Sequence, residues 1–285
     1  MGMLGLKIDV DTYEGMKQGV PHLLQTLKEF HLKGTFFLSI GPDNSGRAAL
    51  QLIKNPLFLK KMMRTNAFGL YGWKTPLYGT LLPAPMIALA FPEIVQQIIA
   101  DGHEIQFHAW DHRRWQDELT TKTEKWIRDW FAQGIAGFEK LTGNKPTAFG
   151  APSWLIDDRV LKVIKEYNFD YVSCTRAKMP FIHEIVNVLE IPSDLPCFEE
   201  LDAQRGVSII ADLIKDGRIH VLPVHAEVEG GIFNDKFKDL LQNALAAGNA
   251  VVPLRDIKSR LVFQDIPVRK YKMELIPGRH SPCAV

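Results

Sequence analysis

The chain has 285 residues, 46% hydrophobic and 24% charged, with 34 Lys+Arg against 33 Asp+Glu and a formal charge of +1. This composition excludes disorder, collagen and coiled coil, and the near-zero balance argues against a general nucleic-acid binder, which should be strongly basic. The length allows two domains or one large α/β domain.

Short β-rich runs alternate with helical patterns along the chain. A strand is predicted over 6–10 and a helix over 20–30, where Val20, Leu23, Leu24, Leu27 and Phe30 share one face. A strand follows at 35–38, then a helix at 91–100 that stops near Gly102, and a strand at 104–107. The spacing predicts a long helix over 123–141, ended by Gly143. Strands are expected at 147–151, 171–174, 188–191, 220–224 and 250–253, with helices at 157–167, 207–214 and 233–247. Such alternation predicts a parallel sheet, open or closed into a barrel. No linker or internal repeat divides the chain, so residues 1–285 read as one domain carrying an insertion.

That insertion, 47–91, departs from the rest in charge. No acidic residue occurs between Asp43 and Glu93, while Arg47, Lys54, Lys60, Lys61, Arg64 and Lys74 make the stretch +6 and leave −5 elsewhere. Lysines interleave with Leu57, Phe58, Leu59, Met62 and Met63, and Phe68, Tyr71 and Trp73 follow. Basic and apolar residues in broken helices fit segments lying in a membrane interface, with Lys54, Phe58, Lys60, Lys61 and Trp73 as candidate contacts. A helical hairpin on the core, its lysines facing water, fits the same pattern. The uncharged run 75–92 contains Pro76, Pro83, Pro85 and Pro92, which rules it out as a transmembrane helix. The first residues lack the basic and apolar regions of a secretory signal. Three widely spaced cysteines, Cys174, Cys197 and Cys283, read as buried or idle thiols in a reducing compartment.

The residues with chemical potential cluster at predicted strand ends. Asp9 and Asp11 sit two apart at the end of the first strand, so their carboxylates point the same way. Such a pair can divide labour between metal binding and proton transfer, although an aspartate at a strand end often only caps the next segment. His108 and His112, read as an i, i+4 pair on one helical turn, could share one ion. They lie just after the 104–107 strand, and His225 lies just after the 220–224 strand. Asp11, His108 and His225 therefore converge at the carboxyl ends of parallel strands, where α/β folds build their sites. One carboxylate and two histidines would hold a divalent metal that activates water, with Asp9 as base and His225 as acid, for metal-assisted amide hydrolysis. No P-loop, GxSxG or HExxH occurs.

At these residues the chain resembles the polysaccharide deacetylase (NodB-homology, carbohydrate esterase 4) family. The family's Thr-Phe-Asp-Asp motif is similar to Ile8-Asp9-Val10-Asp11, and its His-Ser/Thr-x-x-His motif to His108–His112 after Gly102-His103-Glu104-Ile105. The resemblance implies a distorted (β/α) barrel of the NodB-homology type with an amphipathic insertion. It also implies Asp9 as base, Asp11, His108 and His112 as metal ligands, His225 as acid, and one divalent ion (zinc, cobalt or manganese). The family's Arg-x-Pro-Tyr motif aligns with Gly150-Ala151-Pro152-Ser153, so its arginine and tyrosine are missing. Further stretches resemble the 4-deoxy-4-formamido-L-arabinose-phosphoundecaprenol deformylase subfamily: Lys7-Ile8-Asp9-Val10-Asp11-Thr12, Ile40-Gly41-Pro42-Asp43-Asn44, Leu70-Tyr71-Gly72-Trp73, Met179-Pro180-Phe181 and His225-Ala226-Glu227-Val228-Glu229-Gly230. This implies deformylation of a lipid-linked amino sugar in aminoarabinose modification of lipid A and polymyxin resistance. It further implies a peripheral place on the anionic inner membrane, on its cytoplasmic face, with Trp110, Asp111, Trp154 and Glu227 as candidate substrate contacts. Deacetylation of another N-acyl sugar, or an inactive membrane-associated binding protein, are the alternatives.

Overall fold

Strand β1 (Met3–Val10) is buried along its whole length, because strands flank it on both sides and apolar layers cover both its faces. The computed structural model describes residues 2–48, 75–201 and 205–285. β1 pairs in parallel with β2 (Thr35–Ser39) on one side and β8 (Ile219–His225) on the other, while β9 (Ala250–Val252) joins its first residues. β2 continues to β3 (Glu104–Ala109), β4 (Ala148–Phe149), β5 (Tyr171–Val172) and β7 (Leu189–Glu190), all parallel. β6 (Phe181–His183) runs antiparallel to β7 and carries β10 (Val268–Arg269) at the edge. The sheet curls into the distorted barrel that the resemblance implies.

Two-residue periodicity divides β1 between two apolar layers. Leu4, Leu6, Ile8 and Val10 face the outer layer, where they pack with α1 (Val20–Glu29), α2 (Pro92–Ala100), α4 (Glu124–Thr142), α5 (Asp158–Glu166) and α8 (Asn234–Ala246). Met3 belongs to the inner layer with Phe37, Tyr171, Val221, Leu254 and Ile257. Gly5, Lys7 and Asp9 share its face of the strand.

Local chemistry explains where the helices start and stop. Thr123 caps α4 by accepting from Trp126 N at 3.3 Å, and Gly143 ends it at φ 74°. Asp157 caps α5 through Arg159 N and Val160 N. A π-helical turn, Gly15–Gly19, leads from β1 into α1. It packs on the short helix α7 (Ala226–Glu229) so closely that a Cβ on Gly19 would lie 1.9 Å from Ala226 O.

The expected helices and strands are present with ends shifted by a few residues. Elements not anticipated include the π-helical turn, α3 (His112–Glu118), α7, α9 (Leu254–Arg260), β6, β10, and a hairpin of β11 (Met273–Glu274) with β12 (Cys283–Ala284). α6 (Gly206–Leu213) falls where expected. Most of the basic insertion, including Lys54, Phe58, Lys60, Lys61 and Trp73, lies outside the described residues. No helix among the described residues is long and apolar enough to cross a membrane.

Candidate metal centre and active site

Three strand ends meet at one mouth of the barrel. The parallel register sets Asp9 of β1 opposite His225 of β8 and Phe37 of β2. Between β2 and β3 the pairing jumps from Leu38–Phe107 to Ser39–Ala109, so His108 is the additional residue of a bulge. Bulges beside sites re-aim a side chain, and here the imidazole turns inward to Asp11.

His108 Nε2 stands 3.1 Å from Asp11 Oδ1, and His112 Nε2 stands 3.2 Å from Asp11 Oδ2. One ligand atom from each of the three residues lies within 4.8 Å of the others. His108 Nδ1 is 2.7 Å from Gly150 O, an acceptor, so Nδ1 carries the proton and Nε2 keeps its lone pair. Asp11 Oδ1 and His108 Nε2 are both buried without a hydrogen-bond partner. Two acceptors facing each other in this way call for a cation between them, and the Asp/His/His donor set fits one divalent ion. Burial opposes ionisation of Asp11, but the imidazoles of His112 and His108 outweigh it and hold its carboxyl far below the usual range. Burial lowers His112 to about 4, the neutral form that a ligand requires.

The i, i+4 reading of the two histidines needs correction in its mechanism. His108 ends a strand and His112 begins α3, so a strand-to-helix turn, rather than one helical turn, brings them together. Asp111 is the cap of that helix: Oδ1 accepts from Arg114 N at 2.9 Å and Oδ2 from Asn44 Nδ2 at 2.6 Å. With both oxygens engaged and 2% exposure, it shapes the turn. Trp110 is half-buried against the outer core.

His225 stands at the rim. Its Nδ1 lies 3.2 Å from Glu199 Oε2. Burial disfavours the imidazolium, but Glu199 wins and raises the His225 pKa well above its ordinary value. Cys197 completes a second close group with these two; burial pushes its thiol up, so the sulfur stays protonated. Glu229 Oε2 accepts from His225 N at 2.7 Å, which fixes the turn that carries the histidine. Burial first, then Glu199, raises Glu229 to about 8. Glu227 has Oε2 buried and unpartnered; burial first and Asp11 second raise its pKa well above normal.

Trp154 lies edge-on to His225 at 6.4 Å between ring centroids. It is only 3% exposed, with the guanidinium groups of Arg176 and Arg279 4.7 and 4.8 Å from its ring. Ser153 and Trp154 both adopt positive φ, 54° and 53°, a conformation costly for side-chain-bearing residues. Buried ion pairs from Arg176 to Glu200, with Glu200 also reaching Arg279, hold this turn from below. Glu199 is not evident from the sequence, since nothing in the spacing ties residue 199 to 225.

A (β/α) barrel with Asp9, Asp11, His108, His112 and His225 at the carboxyl ends of its strands defines a class. The chain belongs to the polysaccharide deacetylase family, whose model matches residues 6–172. It is similar, at 34% identity over 260 residues, to a protein of Shewanella sediminis (strain HAW-EB3) named probable 4-deoxy-4-formamido-L-arabinose-phosphoundecaprenol deformylase ArnD; the match covers 89% of this chain and 85% of that one. A protein of the same name from Wigglesworthia glossinidia brevipalpis is 33% identical over 276 residues, 93% of this chain and 96% of that one. Among solved structures, a Mycobacterium smegmatis polysaccharide deacetylase homologue superposes with TM-score 0.66 at 18% identity, covering 96% of this chain and 94% of its own. A family 4 acetyl xylan esterase of Clostridium thermocellum, in complex with a cobalt ion, superposes with TM-score 0.53 at 14% identity, covering 90% of each chain. These two likenesses establish the barrel.

Proposed function

We propose that this protein is a metal-dependent deformylase that hydrolyses the N-formyl group of 4-deoxy-4-formamido-L-arabinose carried on undecaprenyl phosphate. The reading is carried by the meeting of Asp11, His108 and His112 beside Asp9 and His225, in a chain about one-third identical over most of its length to proteins of that name. Asp11, His108 and His112 would hold one divalent ion, zinc, cobalt or manganese, which when bound acidifies water and polarises the formyl oxygen.

This chain's own groups supply the proton steps. Asp9 takes a proton from water as the water oxygen bonds to the formyl carbon. The C–N bond then breaks as His225, kept protonated by Glu199, gives its proton to the departing nitrogen. Formate and the free amino sugar leave. Glu227, whose buried oxygen is unpartnered and whose carboxyl feels the charge of Asp11, and the indole of Trp154 beside His225 would bound the sugar, and Trp110, on the turn between His108 and His112, would act from beneath.

A head group tethered to a membrane lipid must be processed at the bilayer surface. The acid-free composition of 47–91 suits that position, and Lys54, Phe58, Lys60, Lys61 and Trp73 are the residues that would meet anionic lipid of the inner membrane from the cytoplasmic side. The biological setting would be lipid A modification with aminoarabinose and resistance to cationic peptides. Formate released from the lipid-linked formamido sugar tests the reading directly. Stripping the metal should abolish release and adding it back should restore it, while His108→Ala should lose both metal and turnover. Full turnover in stripped protein would refute it.

A further inference from the structure

Lys7 is fully buried, on the inner face of β1, and its ammonium group pairs with Oδ2 of Asp9. The pairing comes from strand geometry, since residues two apart on a strand project from the same face. The other Asp9 oxygen, Oδ1, is buried and has no partner. Lys7 Nζ also lies 5.0 Å from the centre of the Phe37 ring and 5.5 Å from that of Trp154. Burying an ammonium is costly unless a counter-charge and fixed dipoles surround it. A leucine at position 7 would pack without that cost, so the lysine needs a reason.

Gly150 supplies a second observation. A Cβ built there would lie 3.3 Å from Lys7 Cε and 2.9 Å from Phe37 Cδ1. The bare backbone at 150 therefore makes room for the lysine stem, and its carbonyl accepts from His108 Nδ1. Gly150 is also where this chain lacks the arginine of the family's third motif. The cation beside Asp9 thus comes from the same strand, and its stem occupies space that a side chain at 150 would fill.

We propose that Lys7 is a positioning residue for the hydrolysis: it clamps Asp9 by one oxygen and so presents the other, Oδ1, to the attacking water. This rests on the hydrolase reading above, and it concerns the order of groups Lys7, Asp9, water. Lys7 needs no contact with substrate or metal. With the ammonium gone, Asp9 can rotate and no longer holds Oδ1 toward the water, which lowers the rate of proton removal without weakening substrate binding.

The test begins with the parent enzyme. If it releases no formate from the lipid-linked sugar, the proposed function fails and Lys7 is not the cause. With parental turnover in hand, Lys7→Met, Lys7→Gln and Lys7→Arg are compared, with kcat expressed per bound metal ion so that a poorly folded fraction does not count. A positioning role predicts that Met and Gln lower kcat about 100-fold or more, leave KM within about threefold, and leave metal stoichiometry unchanged, while Arg recovers most of kcat. In the Asp9→Asn background, Lys7→Met should change kcat less than about twofold, because its target is already gone. Urea unfolding of the metal-free proteins gives a readout apart from activity: the midpoint loss of the double variant should be smaller than the sum of the two single losses. The proposal is overturned if kcat per metal stays within threefold of parental in Met and Gln. It is equally overturned if the Lys7 and Asp9 effects on kcat multiply, or if Arg behaves like Met.

Discussion

His103 is expected to make the fold acid-sensitive. Its imidazole is 6% exposed, Nδ1 accepts the Gly34 N–H at 3.2 Å, and the ring packs edge-on to Phe36 at 5.2 Å. Burial first, and then the nearby Lys33 and Arg255, lower its pKa from 6.5 to about 4. Because the folded value is depressed, the unfolded chain takes up a proton that the folded chain refuses between these limits. The stabilisation is complete above pH 6.5 and is lost as pH falls toward 4. A gap of about 2.5 pH units is worth about 3 kcal/mol in full, and about 2 kcal/mol of it is gone by pH 5. With a urea dependence of about 3 kcal/mol/M, that is a midpoint shift of about 0.7 M. His103→Asn places a non-titrating carboxamide oxygen where Nδ1 accepts. Urea unfolding of the metal-free proteins between pH 7.5 and 4 isolates the effect, since the carboxylates titrate alike in both. The parent should lose about 2 kcal/mol more than the variant on going to pH 5. Parallel curves would refute the assignment of a neutral, depressed imidazole at this position.

Two further expectations concern the rim. Glu199→Gln removes the charge that holds the His225 pKa up against burial, so the alkaline limb of kcat/KM should move to lower pH; a limb that stays in place would show that His225 is not the titrating acid. Gly19→Ala forces a Cβ against Ala226 O and should cost about 2–4 kcal/mol, together with kcat, because the displaced turn carries His225. A variant with parental melting temperature and turnover would mean that the two backbones separate freely.

Legibility in the sequence tracked the strength of each local pattern and the range of its contacts. The helix at Glu124–Thr142 was readable because Ile127, Trp130, Phe131, Ile135 and Phe138 recur at helical spacing and Gly143 can take positive φ. Phe181–His183 and Val268–Arg269, which pair with each other at one edge of the sheet, left no periodic trace. Asp9, Asp11, His108, His112 and His225 could be nominated from strand ends, yet the bulge that turns His108 inward depends on pairing with β2. Lys7 was not singled out, although its alternation with Asp9 on an apolar strand was a signal that could have found it. Glu199 and the Arg176–Glu200–Arg279 brace beneath Trp154 come from distant segments and had none.

The order of strands also separates two events in folding. Asp11, His108 and His112 are carried by β1, β3 and the start of α3, which need only the β1–β2–β3 pairings to meet. His225 joins them only when β8 docks on β1, bringing partners 216 residues apart into register (225 minus 9). Long-range parallel pairing is slow to form, since chain entropy is lost before contacts repay it. During refolding, metal capture can therefore precede turnover: a species can hold its ion at full stoichiometry and still lack its proton donor. Time courses of metal uptake and of regained activity would then run on different clocks.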